Sequence, residues 1–449
     1  MPRKKPPPPP APSPAPPARA SFRPAPPSPA HKPAWASRTA ENPPSSSLHT
    51  PSNPRATPAI VHPVTPKPPL PLPHPAPVDS PRAYPVVVSP PPATPALGPL
   101  KALASAGPGK TSDAGPKSGV VVVGSLNMDL VVRAEIMPLP GQTVMGQDLV
   151  QNPGGKGGNQ AAAAGRLWHR RAPGSKLIAR IGDDIFGQNV LAALQAARVD
   201  TASVLTTRHT PTGTAMILVD RHGEHAIVVA GGANRHLSAT DLLAQRKTIE
   251  TSVVLLAQLE TPGDTVACAF ALAKRSNVLT ILDPSPAPAE GLPESLHHVD
   301  ILTPNQGEAQ LLTGVQVRTI DDARRAAERF LLRGTRIVVI KMGSQGAVIA
   351  YKEERAAGQC GHGRAGGAAG SAHAGTVAVH IPGFRVPVVD TTGAGDAFAG
   401  ALAVGLAEGM PLPQAVRFAN AAGALACTKA GAMAALPTRA DVDKLVAGA

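Results

Sequence analysis

The chain of 449 residues carries 43 Lys+Arg against 30 Asp+Glu, a formal net charge of +13 that would suggest a nucleic-acid partner. Residues 1–118 alone hold 13 Lys+Arg against three acids, so most of the excess belongs to this segment and we expect no nucleic-acid ligand. No run of about 18 apolar residues occurs, so we expect neither a transmembrane helix nor a membrane partner.

Residues 1–118 also hold 37 of the 53 prolines, which predicts a disordered, basic, proline-rich tail with polyproline II character. The opening MPRKKPPPPP has no apolar stretch of the kind that a secretory signal needs. Cys268, Cys360 and Cys427 lie far apart without a CxxC pair, so we expect no disulfide framework and no zinc site. Together these features predict a cytoplasmic protein.

The pattern changes at Gly119, where a folded domain over residues 119–449 is predicted to begin. GVVVVGSLNMDLVV (119–132) is β-branched and predicts one buried strand. GTAMILVDRHGEHAIVVAGG (213–232) predicts two strands joined by a polar turn. Further apolar runs, each preceded by a helical pattern, cover 252–260, 277–284, 299–305 and 336–344.

This alternation predicts an α/β protein whose parallel sheet is covered by helices on both faces, with the hairpin at 213–232 in a separate small sheet. Residues 356–376 are rich in Gly, Ala and His and predict a low-complexity surface loop inserted into the domain.

Two glycine-rich segments carry the chemistry. PGGKGGNQAAAAGR (153–166) places glycines ahead of an alanine-rich helix, where bare backbone lets a ligand approach closely. DTTGAGDAFAG (390–400) also enters a helix, so the N–H groups of Gly393, Ala394 and Gly395 are predicted to be free at its N-terminus. With the helix dipole they would bind the negative charge of a phosphoryl group, beside the carboxylate of Asp396.

GGKGGNQAA and DTTGAGD resemble the two signature segments of the ribokinase-like carbohydrate kinase family. Five further segments are similar and stand in the same order: GSLNMD, MPLPGQTVMG, QLETP, TPNQGEAQLLTG and PGFRVPVVDTTGAGDAF. The resemblance covers the chain from Gly119 onward. It implies a three-layer α/β/α fold with a mainly parallel central sheet and a small β-sheet lid. Parts of 129–148 and 213–232 would form the lid, and two lids would pair in a homodimer.

The resemblance also implies an activity, the transfer of a phosphoryl group from ATP to the 5-hydroxyl of D-ribose. Asp396 would be the general base, with residues 393–395 as the anion hole. The residues implied to bind the sugar are Asn127, Asp129, Gly155, Lys156, Asn159, Glu260 and Asp396. Polar groups of this kind suit a polyol, whose hydroxyls both donate and accept hydrogen bonds.

On the nucleotide side, the resemblance implies that Asn305 and Glu308 place Mg²⁺ and phosphate, and that the KMGSQG loop and Asn420 flank the ribose and adenine. The implied ATP-binding residues are Asn305, Glu308, Lys341, Gly343, Ser344, Gly346, Gly395 and Asn420. A monovalent cation, K⁺, is implied at Asp390, Thr392, Ala426, Lys429, Gly431 and Ala435. Ala435 departs from the family pattern, which has a serine whose hydroxyl can ligate the cation.

Two alternatives stay open at this stage. Kinases for another pentose, for deoxyribose or for nucleosides share the catalytic turn, although a nucleoside would need room for a base above the sugar. The proline-rich tail, which contains RPAPPSP (23–29), would alternatively make the chain a kinase with a protein-interaction module.

Overall fold

The structure is a computed structural model that describes residues 117–169, 174–353 and 375–448. Apart from their last two residues, the predicted tail 1–118 and the predicted loop 356–376 lie outside the described residues, and both stay predictions. No helix within the described ranges is long and apolar enough to cross a membrane. The cytoplasmic location also stays a prediction.

The described residues form fourteen strands and ten α-helices, together with short 3-10 turns. The strands are Val120–Val123 (β1), Asn127–Ala134 (β2), Gly146–Gly154 (β3), Ser175–Gly182 (β4), Val199–Asp200 (β5), Val204–Thr207 (β6), Gly213–Val219 (β7), His225–Ala230 (β8), Val254–Ala257 (β9), Leu279–Leu282 (β10), Ile301–Leu302 (β11), Ile337–Lys341 (β12), Ala347–Lys352 (β13) and Thr376–Ile381 (β14). The α-helices are Lys156–Leu167 (α1), Ile185–Ala196 (α2), Ala239–Ala244 (α3), Arg246–Glu250 (α4), Gly263–Arg275 (α5), Gln306–Thr313 (α6), Ile320–Leu332 (α7), Ala394–Ala407 (α8), Leu412–Ala426 (α9) and Arg439–Ala447 (α10).

The larger sheet has the strand order β14-β13-β12-β11-β10-β9-β1-β4-β5, and β6 also pairs with β4. Its pairs from β12 to β5 are parallel, whereas β12-β13 and β13-β14 are antiparallel. Alternate side chains of β1 enter two different hydrophobic clusters: Val120 and Val122 pack on one face of the sheet, Val121 and Val123 on the other. A strand buried on both faces needs a continuous apolar run, as the sequence has. The predicted mainly parallel α/β architecture is confirmed.

The smaller sheet has four strands in the order β3-β2-β7-β8. The predicted hairpin of residues 213–232 is present as β7 and β8, with an antiparallel register. The prediction of one strand over 119–132 was wrong, because the chain leaves the large sheet after Val123 and enters the small sheet at Asn127. The break lies at Gly124–Leu126, and the side chain of Asn234 bonds both the N–H and the carbonyl oxygen of Leu126. The backbone of Leu126 is therefore paired with a side chain instead of a strand.

Candidate active site

The site lies at the carboxyl edge of the parallel strands, where strand ends in an open α/β sheet meet. The segment after β1 carries Ser125 and Asn127, and the segment after β9 carries Gln258 and Glu260. Asp283 follows β10 directly, and Lys341 is the last residue of β12. Helices α1 and α8 begin at the same edge, so residues distant in sequence converge there.

Helix α1 approaches the turn after β1 so closely that glycines are required. Gly155 precedes the helix with φ of 84°, a left-handed conformation that favours glycine. A Cβ atom at Gly155 would lie 2.7 Å from the backbone nitrogen of Asn127, and one at Gly157 would lie 2.5 Å from that of Ser125. Backbone packing therefore requires glycine at Gly155 and Gly157, and it brings Lys156 and Asn159 against the turn.

Glu260 reaches this helix start from a different part of the chain. Its carboxylate accepts a hydrogen bond of 3.1 Å from the backbone N–H of Lys156, the first residue of α1. The same oxygen, Oε2, accepts a hydrogen bond of 2.5 Å from the hydroxyl of Ser125. A carboxylate at a helix N-terminus is favoured by the free N–H groups and the dipole. Glu260 is therefore fixed beside the predicted sugar residues.

Asn127 is oriented by a residue that the sequence analysis did not identify. The amide nitrogen of Asn234 donates to Asn127 Oδ1 at 2.8 Å, while its oxygen accepts from the N–H of Leu126 at 2.9 Å. Both asparagines are buried. No local pattern marks Asn234, which follows the hairpin by chain order and meets Asn127 only through the fold.

Asp396 is buried in the first turn of α8 and is held by two amides of α1. Asn159 Nδ2 donates to Asp396 Oδ2 at 2.9 Å, and Gln160 Nε2 donates to Asp396 Oδ1 at 3.0 Å. The side-chain oxygen of Asn159 is buried without a hydrogen-bond partner among the described residues. A buried acceptor of this kind is costly unless a ligand donates to it.

Burial raises the pKa of Asp396, and the neighbouring carboxylate of Asp283 adds to the rise. Lys156 and the two amides oppose it without cancelling it. Burial, Glu260 and Asp396 likewise raise the pKa of Asp129 to about 7. Burial alone would lower the pKa of Lys156, but the surrounding carboxylates, led by Asp396, raise it, so its ammonium stays charged. The site thus holds carboxylates with raised proton affinity around a permanent cation.

The N-terminus of α8 differs in one detail from the sequence prediction. The N–H groups of Gly393 and Gly395 have no partner within the described ranges, but that of Ala394 donates to Thr391 O at 3.2 Å. The prediction of three free N–H groups was therefore wrong for Ala394, although 3.2 Å is a long hydrogen bond. Gly393 has φ of 76°, so the tight turn into the helix depends on glycine.

A cleft of about 1000 Å³ opens beside this turn. Seven of the eight predicted ATP-binding residues line it: Asn305, Lys341, Gly343, Ser344, Gly346, Gly395 and Asn420. A cavity of this size is large enough for a nucleotide. The amide of Asn420 donates to the carbonyl oxygens of Ile381 and Pro382, at 3.0 and 3.1 Å, and so fixes one wall.

Glu308 is the one predicted ATP-binding residue that does not line the cleft. It forms a capping box with Asn305. The Asn305 N–H donates to Glu308 Oε2, and the Glu308 N–H donates to Asn305 Oδ1, both at 2.8 Å. This arrangement begins α6 and accounts for NxxE as a helix cap. The carboxylate of Glu308 nevertheless raises the pKa values of Lys156 and Lys341, so its charge acts on the site.

The residues predicted to bind a monovalent cation adjoin the turn before α8. Asp390 Oδ2 accepts from the Gly431 N–H at 2.8 Å, and its Oδ1 accepts from the N–H and hydroxyl of Thr392. Lys429 and Ala435 line a neighbouring small cavity, and Ala426 ends helix α9. The structure therefore joins Asp390, Thr392 and Gly431 by direct contacts. Carboxylate, hydroxyl and backbone oxygens are the donors that a hard cation prefers.

Sequence reasoning missed several polar residues that complete the site. They are Ser125, Gln160, Asn234, Gln258 and Asp283, which bond Glu260, Asp396, Asn127, Gln160 and Lys341 respectively. Ser125 and Gln160 lie inside the motifs GSLNMD and GGKGGNQAA, so their positions gave a signal. Gln258 likewise begins the motif QLETP, whereas Asn234 and Asp283 lie in no motif that the sequence analysis quoted.

Four features together define an ATP-dependent carbohydrate kinase. They are the mostly parallel sheet, the small second sheet, the nucleotide-sized cleft and the buried carboxylate at a glycine-rich helix start. The sequence profile of the pfkB family carbohydrate kinases matches residues 117–439. The chain belongs to this family. The resemblance to ribokinase-like kinases drawn from the motifs is thereby confirmed.

Individual relatives agree with the family assignment. The chain is 37% identical to ribokinase of Haemophilus influenzae over 322 residues, which cover 72% of this chain and 96% of that protein. It is 33% identical to ribokinase of Mus musculus over 337 residues, which cover 75% of this chain and 97% of that protein. A solved structure of Arabidopsis thaliana ribokinase complexed with ribose and ATP matches with a TM-score of 0.64 and 29% identity, covering 74% of this chain and 99% of that chain.

Proposed function

We propose that the protein transfers the γ-phosphoryl group of ATP to the 5-hydroxyl of D-ribose, giving D-ribose 5-phosphate and ADP. The observation that carries the proposal is the buried carboxylate of Asp396, held by two amides of α1 next to the nucleotide-sized cleft. Similarity to ribokinases over most of their length supports ribose as the sugar.

Asp396 acts as the general base. Its pKa is raised above the usual range by burial, so the carboxylate has a higher proton affinity than an exposed aspartate and is a stronger base. As the 5-oxygen attacks the γ-phosphorus, its proton passes to the carboxylate and the bond to the leaving oxygen of ADP breaks. Most of the catalysis in such a transfer comes from positioning and electrostatic stabilisation.

The anion hole consists of the N–H groups of residues 393–395 at the start of α8. Those of Gly393 and Gly395 are free within the described ranges, and the long bond of Ala394 to Thr391 exchanges for a phosphoryl oxygen. Fixed N–H dipoles aimed at developing charge need no reorganisation during the reaction. The side chain of Lys156, charged and close to Asp396, adds positive charge on the sugar side.

The sugar lies between α1 and the small sheet, against Asn127, Asp129, Gly155, Lys156, Asn159 and Glu260. The unpartnered Asn159 Oδ1 accepts from a sugar hydroxyl, which satisfies the buried oxygen. Asp129 and Glu260 supply further acceptors. Glu260, which follows β9 of the large sheet, is bonded to α1, whereas Asp129 belongs to the small sheet. A sugar bound to both residues therefore connects the two sheets.

Mg²⁺ would accompany ATP, and Glu308 would supply negative charge for binding this ion. The fit rests on charge, since Glu308 lies close enough to Lys156 and Lys341 to raise the pKa of both. Hydrated Mg²⁺ is bound through few carboxylates together with substrate phosphates. Asp390, Thr392 and Gly431 would hold K⁺, and Ala435, which has no hydroxyl, would supply no side-chain ligand.

The small sheet is proposed to act as a lid and to pair with the lid of a second copy. Its edge strand β8 is exposed along all six residues, and Met216, Ile227 and Val228 are 60%, 51% and 69% exposed. Ile227 and Val228 are consecutive, so apolar side chains are exposed on both faces of the strand. An exposed apolar edge strand is normally covered by another chain.

A substrate panel tests the proposed function. Purified protein is incubated with Mg²⁺-ATP and D-ribose, 2-deoxy-D-ribose, other pentoses, hexoses or nucleosides, and ADP release is measured with and without K⁺. D-Ribose should give the highest kcat/KM, and phosphorus NMR should place the phosphate on the 5-oxygen. A higher kcat/KM for deoxyribose or a nucleoside would select the alternative kinase, and no sugar-dependent ADP release would overturn the proposal.

A further inference from the structure

Lys341 and Asp283 form a buried ion pair between the nucleotide cleft and the sugar site. The ammonium of Lys341 lies 2.7 Å from Asp283 Oδ1, and the two side chains are only 12% and 3% exposed. Burial alone would lower the pKa of Lys341, but Asp283 and Glu308 raise it, so the lysine is charged. Burying two charges carries a desolvation cost that often exceeds their attraction, so stability alone is a weak reason for the pair.

The ammonium points to the phosphoryl end of the cleft. Lys341 is the first residue of the KMGSQG loop, which was predicted to flank the nucleotide's ribose and adenine. A methyl group added to Gly395 would nevertheless lie 3.6 Å from Lys341 Nζ. Gly395 is the residue before Asp396 and carries one of the free N–H groups of α8. Lys341, Ala394 and Gly395 also line the same cleft. A cation therefore lies beside the proposed anion hole.

Gln160 connects this ion pair to the general base. Its amide nitrogen donates to Asp283 Oδ2 at 2.8 Å and to Asp396 Oδ1 at 3.0 Å, so its two hydrogens serve two carboxylates. Gln258 Nε2 donates to Gln160 Oε1 at 2.5 Å, which fixes the orientation of the amide. Gln160, Gln258, Asp283 and Asp396 are all buried. Hydrogen bonds and the ion pair therefore connect Lys341 to Asp396 through Asp283 and Gln160.

We propose that Lys341 is a catalytic residue that donates a hydrogen bond to the phosphoryl group during transfer, and that Asp283 and Gln160 are positioning residues for Lys341 and Asp396. The inference rests on the proposed phosphoryl transfer and adds to it a second cation, on the nucleotide side. The 5-oxygen forms its bond to phosphorus, the bond to the bridging oxygen breaks with its electron pair going to ADP, and the proton goes to Asp396. Lys341 keeps its proton throughout.

The competing explanation is that Lys341 only neutralises Asp283. Lys341→Met, Asp283→Asn and the double variant separate the two roles. If Lys341 contacts the phosphoryl group, Lys341→Met should lower kcat by at least about 100-fold, as removal of a transition-state donor does, with the sugar KM little changed. The double variant should stay as low, because its Asp283→Asn change removes the unpaired carboxylate without replacing the cation. Recovery of the double variant to the kcat of Asp283→Asn would overturn the proposal.

The pH profile reports on the positioning residues. Asp283→Asn removes a negative charge beside Asp396, so the acidic limb of the kcat profile should move to lower pH. An acidic limb at the wild-type pH would show that Asp283 does not act on Asp396. The double variant leaves no unpaired charge in the interior, so it keeps the proposal testable if Lys341→Met fails to fold.

Lys274→Met serves as the matched control, since Lys274 is an exposed lysine on α5 and should keep wild-type kcat. All variants are assayed with the sugar that the wild-type protein phosphorylates best. If the wild type phosphorylates no sugar, the proposed function fails. If the wild type is active and Lys341→Met matches it, only the catalytic role of Lys341 fails.

Discussion

The side-chain amide of Asn159 donates a 2.9 Å hydrogen bond to the carboxylate of Asp396, across 237 residues of sequence. The bond joins the first turn of α8 to the first turn of α1, where Asn159 ends the segment GGKGGN. It leaves one oxygen of Asn159 buried and unpartnered within the described part of the chain, next to the proposed base. One residue thus orients the proposed base and has a free acceptor for the proposed sugar.

Asp396→Asn tests the base. Asparagine is nearly the same size but cannot take up the proton, so kcat should fall by roughly 10²- to 10⁴-fold, the usual contribution of general base catalysis. Sugar and ATP affinities, measured by isothermal titration calorimetry, should change little. Turnover close to that of the wild type would show that another group accepts the proton.

Asp129→Asn tests the raised pKa of a carboxylate in the sugar site. The pKa of Asp129 rises from 3.8 to about 7 on folding, so the unfolded chain ionises more readily and the free energy of unfolding falls as pH increases between these values. Asparagine does not ionise, so the variant lacks this decrease in the free energy of unfolding. The melting temperature of Asp129→Asn should therefore exceed that of the wild type at pH 8 and match it near pH 4, while the sugar KM rises at both.

Asp148→Asn is the matched control for this prediction, because Asp148 is an exposed acid on the same small sheet. Its melting temperature should follow the wild type at both pH values. A pH-independent effect of Asp129→Asn would mean that its carboxylate is not desolvated in the folded protein.

Glu308 combines a structural and an electrostatic role that two substitutions can separate. Glutamine keeps the capping bond to the Asn305 N–H but removes the charge, so Glu308→Gln should retain the wild-type melting temperature. It should require a several-fold higher Mg²⁺ concentration for half-maximal activity. Glu308→Ala should show the same Mg²⁺ shift and in addition lose about 1 kcal/mol of stability through the lost cap. Equal Mg²⁺ dependence of all three proteins would restrict Glu308 to capping.

Ala435→Ser tests the proposed monovalent cation site. Ala435 is buried, and a serine there would restore the hydroxyl that the family pattern has at this position. If K⁺ binds at this site, initial rates titrated with KCl against NaCl should show activation, and the serine variant should reach half-maximal activation at a several-fold lower K⁺ concentration. An unchanged titration would argue that the cation, if bound, lies elsewhere.

The proposed pairing of two lids predicts a homodimer that a single charge can disrupt. Val228→Glu puts a carboxylate on the exposed face of β8, and size-exclusion chromatography with light scattering should then show a monomer. Leu332→Glu, on an exposed position of α7, should leave the dimer intact. A monomeric wild-type protein would contradict the lid-to-lid pairing.

Some of the architecture followed from periodicity, but the path of the chain between the two sheets did not. Residues 119–132 read as one strand because both halves are β-branched, and nothing local shows that they belong to different sheets. The break depends on Asn234, whose side chain pairs with the backbone of Leu126, and on Gly157, which packs against Ser125. These contacts join segments 32 to 108 residues apart.

The sequence by itself determined the class of the fold and the chemistry of its turns. Alternating strand and helix patterns predicted a parallel α/β sheet, and the small residues around Asp396 predicted bare backbone facing a phosphoryl group. Only the tertiary structure decided how the side chains of the site contact one another. Glu260 meets the first N–H of α1, and Gln160 joins Asp283 to Asp396, because parallel strands bring their ends to one edge. Hydrogen bonds of this kind join residues that lie 104 to 237 positions apart in the sequence, so no local pattern predicts them. Distance along the chain is therefore the physical reason why the contacts of the site could not be predicted from the sequence.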